Sequence, residues 1–392
     1  MTLPLLIIGA GLGGENNIPF KLFEQDGRSN FRSQGYRLRI NEHGVKALQD
    51  ALTPELFTLF EKTYAETASL GVRIKPDGEE IPSKGFGSPP PQHSTKSYTV
   101  DRSTFRKALL TGLKEHVFFG KDFNHYTIHE DKITASFSDD TSEDGALLVG
   151  ADGVRSRVRK QYLPEFAGID TGVRIIFGKT PITPELLATM PESRHHGMSL
   201  VMDPDDESQP RLMFESIHFP HADEIARLQL PEPYMYWVLV ARRANIPFSD
   251  EKAWRINPQE SAQLSLDLTK SWSPSARSIL EMQDANQSPI RSILSAAQEM
   301  APWDASRRVT MRSMSCRRWG RWCQYCSTAP RDAADLASRI VAVSIEGVDG
   351  HVIGEYEASI REFARTAIEL SWQGGMRSFG LEPVEECEKI LL

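Results

Sequence analysis

Leu5-Leu6-Ile7-Ile8-Gly9-Ala10-Gly11-Leu12-Gly13-Gly14 is an unbroken apolar run that passes directly into a glycine turn. Such a run is what a strand buried on both faces of a parallel sheet looks like. The turn matches G-x-G-x-x-G, and each glycine has a physical task. Gly9 turns the chain tightly, Gly11 lets a pyrophosphate approach the backbone, and Gly14 lets the next helix pack closely. Amides at the start of such a helix hold phosphate oxygens. Further on, Phe20-Lys21-Leu22-Phe23-Glu24 reads as a second strand, ending in a carboxylate that can accept from a ribose hydroxyl. The plain alternative is a glycine-rich turn with no ligand. Both readings predict an α/β fold with a parallel sheet.

The spacing departs from an intact dinucleotide-binding unit. Only fifteen residue steps separate Gly9 from Glu24, and Glu15-Asn16-Asn17-Ile18-Pro19 is too short for a three-turn helix, which needs about eleven residues at ~1.5 Å each. The crossover helix that joins two parallel strands is therefore expected to be largely missing. With it would go the helix start that faces the phosphates.

The rest of the chain divides by pattern. Gly35 to Ile40 alternates as a third strand, and Asn41 to Lys62 has helical spacing through Val45, Leu48, Leu52, Leu56 and Phe60, split by Pro54. Pro82 to Ser94 is a loop rich in Pro, Gly and Ser. Arg102 to Leu113 reads as a helix with Asp101 as N-cap. Leu147-Leu148-Val149 is another buried strand. Then the rhythm changes. Val173 to Phe177, Arg211 to Phe214 and Tyr234 to Val240 are aromatic and β-branched, with no helix-and-glycine alternation between them. They predict an inserted α+β region built on an antiparallel sheet. Alternation puts Tyr234 and Tyr236 on one face and Met235 and Trp237 on the other, without saying which faces inward. After Val309-Thr310 the chain returns to the first unit, with helices over Asp332 to Ile340 and Ile353 to Leu370. The expected division is 1–170, 171–302 and 303–392.

Bulk properties exclude several classes. The chain of 392 residues is 40% hydrophobic and 25% charged, an ordinary globular composition. A formal charge of -8 and a pI near 5.8 argue against nucleic acid as the main partner. No run of eighteen apolar residues marks a transmembrane helix, and Met1 to Ile8 lacks the basic start and cleavage site of a signal peptide. Three of the four cysteines, Cys316, Cys323 and Cys326, lie within eleven residues, so no disulfide framework is expected and a reducing, cytoplasmic location is. Those cysteines with His351 lack a standard zinc spacing, so no metal is expected. The basic, tryptophan-bearing run from Arg317 to Trp322 could contact nucleic acid, but it stands in an acidic chain.

Three motifs carry a resemblance. The glycine turn with Glu24 is the first. The second is Asp101-Arg102-Ser103-Thr104-Phe105-Arg106 with Ala108-Leu109-Leu110, similar to a D-R-x-x-L-R-x-x-L helix. The third is Gly150-Ala151-Asp152-Gly153-Val154-Arg155-Ser156-Arg157-Val158-Arg159. Together they resemble the FAD-dependent monooxygenases related to para-hydroxybenzoate and salicylate hydroxylases, over Gly9 to about Gly380. The resemblance implies a Rossmann-like FAD-binding domain with an inserted substrate domain. It implies FAD as cofactor, NAD(P)H as co-substrate and O2 as oxidant. The substrate would be a small organic molecule, aromatic or of polyketide or terpenoid type, in secondary metabolism. Gly9, Gly11, Gly14 and Glu24 would hold the dinucleotide, and Arg106 would contact the flavin. Asp152 and Gly153 would serve both FAD and NAD(P)H. Arg37, within Gln34-Gly35-Tyr36-Arg37-Leu38-Arg39, would lie beside the isoalloxazine. The cofactor carries the chemistry, so no side chain is assigned as nucleophile.

The family's last fingerprint, G-D-A-x-H-x-x-x-P-x-x-G-x-G-x-N, is missing between Thr310 and Asp332. A basic run rich in tryptophan and cysteine, Met311 to Thr328, stands there instead. Read from third codon bases, Thr310 to Trp319 can encode D-A-I-H-V-M-P-P-L-G. Read from second bases, Trp319 to Thr328 can encode G-G-V-G-A-N-T-A-L-R. The stretch is therefore read as a frame change in the coding sequence. Three rival readings stand beside the monooxygenase. A flavin halogenase would need a W-x-W-x-I-P segment that the chain lacks. An NAD-dependent dehydrogenase would explain the glycine turn but not 150–159. A non-catalytic product of a damaged gene would explain both departures.

Overall fold

The apolar runs become the centre of a parallel sheet. The computed structural model describes residues 3–9, 18–27, 37–66, 71–81, 97–253, 255–312 and 328–391. Among them the central sheet has the order β18-β12-β1-β2-β8. These are Leu5–Ile8 (β1), Phe20–Glu24 (β2), Val117–Phe119 (β8), Leu147–Gly150 (β12) and Val309–Met311 (β18), and their pairings are parallel. Leu6, Leu147 and Leu148 are fully buried, as strands covered on both faces require. β1 and β2 hold parallel register from Leu5↔Phe20 to Ile8↔Phe23 although only Gly9 to Pro19 join them. Residues 10–17 lie outside the described ones, and with them Gly11, Gly14 and the expected loss of the crossover helix. The loop read over Pro82 to Ser94 lies outside them too.

Two small antiparallel sheets flank this one. Phe123–Ile128 (β9), Ile133–Phe137 (β10) and Ser142–Gly145 (β11) form a meander whose Phe123, Tyr126, Ile133 and Phe137 pack with Leu6, Ile8 and Phe23. Arg37–Ile40 (β3), Tyr98–Asp101 (β7) and Tyr64–Ala65 (β4) form the other, in the order β3-β7-β4. Its core includes Ile40, Val45, Phe60, Val100 and Phe105, from the strands and from helices Glu42–Ala51 (α1), Pro54–Glu61 (α2) and Arg102–Leu109 (α3). Pro54 starts α2 with Thr53 as its cap, so the split at this proline is a new helix start. α3 stops at Leu109, four residues short of the reading, just before Thr111 and a glycine at positive φ, Gly112.

The aromatic strands form the large sheet, ordered β17-β13-β16-β15-β14-β5-β6. They are Ala167–Pro181 (β13), Met198–Val201 (β14), Arg211–Ile217 (β15), Tyr234–Arg242 (β16) and Ile290–Ala296 (β17), joined by Arg73–Ile74 (β5) and Glu80–Ile81 (β6). Glu388–Leu391 (β19) pairs with Ala167 to Asp170 of β13. β5, β6 and β19 thus enter this sheet from outside 171–302. The face question is answered by packing. Tyr234, Tyr236, Val238 and Val240 share a cluster with Leu5, Val149, Ile353 and Ile360, on the side of the parallel sheet. Met235, Trp237 and Leu239 pack instead with Leu264, Ile279 and Leu280, from helices Pro258–Leu268 (α7) and Pro274–Glu281 (α8). Trp237 lies on Gly178, where an added Cβ would come within 2.4 Å of the indole ring.

One buried charge cluster pins this sheet to a loop. Arg174 is 1% exposed. Its guanidinium binds both carboxylate oxygens of Asp170 at 2.9 and 2.8 Å and both of Asp250 at 2.7 and 2.5 Å. Asp250 begins the short helix Asp250–Ala253 (α6). The remaining helices are Arg157–Tyr162 (α4), Pro184–Ala188 (α5), Thr328–Val343 (α9) and Gly350–Phe379 (α10). α10 runs from an Asp349 cap to Gly380 at φ 60° and outlasts the sequence reading at both ends. Among the described residues no helix is long and apolar enough to cross a membrane.

Candidate functional site

Open parallel sheets bind ligands outside the carboxyl ends of their strands. Gly9, Glu24, Gly150 and Met311 all stand at such ends, of β1, β2, β12 and β18. Gly9 has φ +99°, and a Cβ there would lie 2.5 Å from the Ala151 carbonyl oxygen. The first glycine turn and the Gly150–Gly153 turn are therefore in contact, and only glycine allows it. A backbone bond seals the contact, Ala151 N donating to Ile8 O at 2.7 Å, while Gly9 N donates to Phe23 O of β2 at 2.8 Å. Gly153 has φ +85° with open space around a Cβ, so conformation alone calls for glycine there.

Asp152 organises the loop it stands in. One carboxylate oxygen accepts from the Ser156 hydroxyl, the other from the amides of Arg157 at 2.7 Å and Val158 at 3.3 Å. Burial pushes its carboxyl above the usual range, and these bonds oppose the shift. Ser156 in turn caps α4 by accepting from Arg159 N.

Glu24 and Arg106 meet. Arg106 Nη2 donates to Glu24 Oε2 at 2.7 Å, with both side chains nearly buried, and Asp26 N donates to the other oxygen at 3.1 Å. Burial lowers the Arg106 pKa while Glu24 works against the shift. The residues read as ribose carboxylate and flavin arginine are thus one pair, carried by β2 and α3.

Arg37 forms an ion pair with Glu215 of β15 at 2.5 Å, and their side chains are 3% and 2% exposed. Its register partner across β3 and β7 is Asp101. Asp101 binds Lys179 of β13 at 2.7 Å and accepts from the Tyr234 hydroxyl at 3.0 Å. The Lys179 ammonium lies 4.1 Å from the centre of the Tyr234 ring. Lys179, Tyr236 and Glu215 are successive register partners across β13, β16 and β15. The sequence reading missed Lys179 and Glu215. A signal was available: Lys179 follows the apolar run Ile175 to Phe177 and Glu215 follows Leu212 to Phe214, and buried charges are normally paired.

Beside β18 a second set of acids is enclosed. Glu357 of α10 accepts from Thr310 Oγ1 at 2.9 Å, Trp303 Nε1 at 2.7 Å and the Tyr162 hydroxyl at 3.2 Å. Asp332 of α9 pairs with Arg331 at 3.1 Å, and burial pushes its carboxyl up to about 7. The missing fingerprint and Cys316, Cys323 and Cys326 fall at 313–327, outside the described residues, as does the 34–36 part of the Arg37 segment.

The raised Asp332 pKa has a testable sign. Its folded pKa exceeds the unfolded value, so the folded state keeps a proton that the unfolded state has lost. This group's stability contribution is therefore fullest below about pH 4 and is lost as pH climbs toward about 7. Each tenfold difference in proton affinity between the two states corresponds to roughly 1.4 kcal/mol. Burial raises Glu357 in the same direction. Asp332→Asn is expected to flatten the fall in melting temperature between about pH 4 and 7, the window in which the unfolded carboxyl has lost its proton and the folded one keeps it. Parallel melting curves for the two proteins across that range would contradict this.

No family model matches the chain. It is 35% identical to a dual O-methyltransferase/FAD-dependent monooxygenase of Phaeosphaeria nodorum over 445 aligned positions, covering 99% of this chain and 47% of that protein. A protein of the same description from Cercospora beticola is 31% identical, with 99% and 48% covered. The chain thus spans about half the length of the curated relatives it matches. The 445 aligned positions exceed the 392 residues of the chain, so the first relative carries stretches that this chain lacks. Solved structures share the fold. An FAD-containing monooxygenase from Photorhabdus luminescens superimposes with TM-score 0.78 at 24% identity, covering 96% of this chain and 99% of its own. The 2,6-dihydroxypyridine-3-hydroxylase of Arthrobacter nicotinovorans gives 0.70 at 13%, covering 98% and 95%.

Proposed function

The chain belongs to the FAD-dependent monooxygenase family, and from that premise we propose that it oxygenates a small organic substrate with FAD, NAD(P)H and O2. The substrate class is aromatic, polyketide or terpenoid, and the setting is secondary metabolism. The observation that carries this reading is the meeting of Gly9, Gly150 to Gly153 and the Glu24–Arg106 pair at the carboxyl ends of one parallel sheet. The residues fit the dinucleotide, because Gly9 lets two glycine turns meet backbone to backbone at the carboxyl ends of the strands, where open parallel sheets bind such ligands. In this reading 1–170 and 303–392 form the FAD-binding unit and 171–302 the substrate unit. A non-catalytic product is not favoured, since relatives named as monooxygenases align across nearly all of the chain.

Bound FAD would supply the redox chemistry, with electrons from NAD(P)H and one oxygen atom of O2 passing to the substrate. The chain's own residues bind, orient and exclude water. Glu24 accepts from the ribose, and Arg106 holds Glu24 in place while adding positive charge near the phosphates. Gly9 lets the two strand-end turns close on each other, and Gly153 supplies the positive φ of the loop that Asp152 organises. Tyr234 and Tyr236, on the inward face of the large sheet, are on the side where the substrate would lie.

The test is direct. The purified protein should show flavin absorption in the visible and consume O2 with NADH or NADPH when FAD is supplied. No FAD uptake and no O2 consumption with either nucleotide would defeat the reading. Arg106→Ala removes both the support of Glu24 and the flavin contact that the resemblance assigns to Arg106; such a charge-assisted contact is worth about 1.5–3 kcal/mol, and about 1.4 kcal/mol is tenfold in affinity. FAD binding, followed by flavin fluorescence, should weaken roughly tenfold or more. Unchanged affinity would remove Arg106 from the site.

A further inference from the structure

Asp101 ends β7 and starts α3, and its two carboxylate oxygens serve different halves of the molecule. Oδ1 accepts from the amides of Ser103 at 2.9 Å and Thr104 at 3.1 Å, capping α3. Oδ2 accepts from Lys179 Nζ at 2.7 Å and from the Tyr234 hydroxyl at 3.0 Å, both on the large sheet. Little more than one turn along α3, Arg106 holds Glu24 at 2.7 Å. One carboxylate therefore stands between the dinucleotide side and the inward face of the substrate sheet. The neighbouring Arg37–Glu215 pair makes a second link in the same place.

An N-cap does not need a charge: serine, threonine or asparagine cap as well. Asp101 is 1% exposed, and taking a carboxylate out of water is costly. The cap therefore does not account for an aspartate here; Lys179 does. Nor does a buried ion pair add much net stability, because apolar residues of similar volume often replace one at no loss. What a split carboxylate adds is direction. It fixes the start of α3 relative to β13 and β16.

We propose that Asp101 is a positioning residue, which through Lys179 and Tyr234 sets the α3 helix, and so the Arg106–Glu24 pair, against the substrate sheet. The proposal rests on the FAD reading above for its consequence, and on the Asp101 contacts for its geometry. Loss of the Lys179 link frees the Asp101 carboxylate to move, so the α3 cap loosens and the dinucleotide side loses its fixed frame.

Lys179→Met, Asp101→Asn and the double variant test it, each in the full chain. FAD affinity is followed by fluorescence titration, and protection of backbone amides by hydrogen exchange. Each single variant should weaken FAD binding about tenfold, within the roughly 5–150-fold typical of coupled sites, and the double should be no weaker than the singles. Exchange should quicken at Ser103 and Thr104 while β15 and β16 stay protected. A merely structural loss would loosen those strands as well. Lys179→Arg, which keeps the charge, should restore both readouts. FAD affinities within twofold of the unmodified chain, with unchanged protection of α3, would overturn the proposal. If the unmodified chain takes up no FAD, the family reading fails, and exchange at Ser103 and Thr104 still decides the link. Asp101→Asn retains a capping side chain, so it carries the test if Lys179→Met does not fold.

Discussion

Lengthening the Gly9–Pro19 link so that it holds a three-turn helix is expected to raise FAD affinity about twentyfold to several thousandfold, from the contributions below. The eleven residues now joining β1 and β2 cannot supply both the glycine turn and such a helix. A helix start aimed at a phosphate contributes about 0.3–1 kcal/mol when exposed and up to ~2 when partly buried. Hydrogen bonds from its amides to a charged phosphate add roughly 1.5–3 kcal/mol each. Two such gains span the stated range at about 1.4 kcal/mol per decade. The graft is acceptable to the fold because β1 and β2 already hold parallel register. Flavin content after purification and a fluorescence titration of both proteins give the comparison. Equal affinities would mean that the short link already serves the phosphates.

Arg174→Met should cost about 3–5 kcal/mol of folding free energy, the usual loss when one partner of a buried ion pair is removed. Its guanidinium is the shared partner of Asp170 and Asp250, and Asp250 has its carboxyl held below the ordinary range chiefly by its bond to Arg174. Methionine fills much of the volume, so the loss comes chiefly from Asp170, since Asp250 keeps Arg243 at 3.3 Å. The triple variant with Asp170→Asn and Asp250→Asn should recover most of it. Urea unfolding followed by tryptophan fluorescence measures both. A loss under about 1 kcal/mol, the level of an exposed pair, would contradict the burial argument.

Local signals carried the fold a long way. β1 and β12 were legible because strands covered on both faces read as continuous apolar runs. Asp101 was legible as a cap because capping is decided within three residues. The β9–β11 meander was missed because Phe123–Ile128 buries every third residue, which imitates neither the strand nor the helix period. α3 was overextended because Leu110 and Leu113 keep helical spacing past the residue where the helix stops. At the site, Glu24 and Arg106 were each found, but not as a pair, since 82 positions separate them. Lys179 and Glu215 were passed over as charges next to apolar runs, and register places both beside Tyr236 on the inward face. Nothing in a period-two strand distinguishes its two faces when both are apolar.

The junction of β3, β7, β13 and β15 contains Lys179, Asp101, Arg37 and Glu215 in that order of contact, so the signs alternate and the formal charges cancel. Such an arrangement is a set of groups with no net charge. Its field weakens with distance far faster than that of a single charge, even where the low dielectric would make one ion felt strongly. The inward face of the large sheet can therefore hold four ionised groups and still offer an almost neutral wall to whatever packs against it. An uncharged aromatic molecule would meet no penalty there, and neither an anion nor a cation would find a strong attraction. Electrically, the wall is selective by shape and hydrogen bonding rather than by charge.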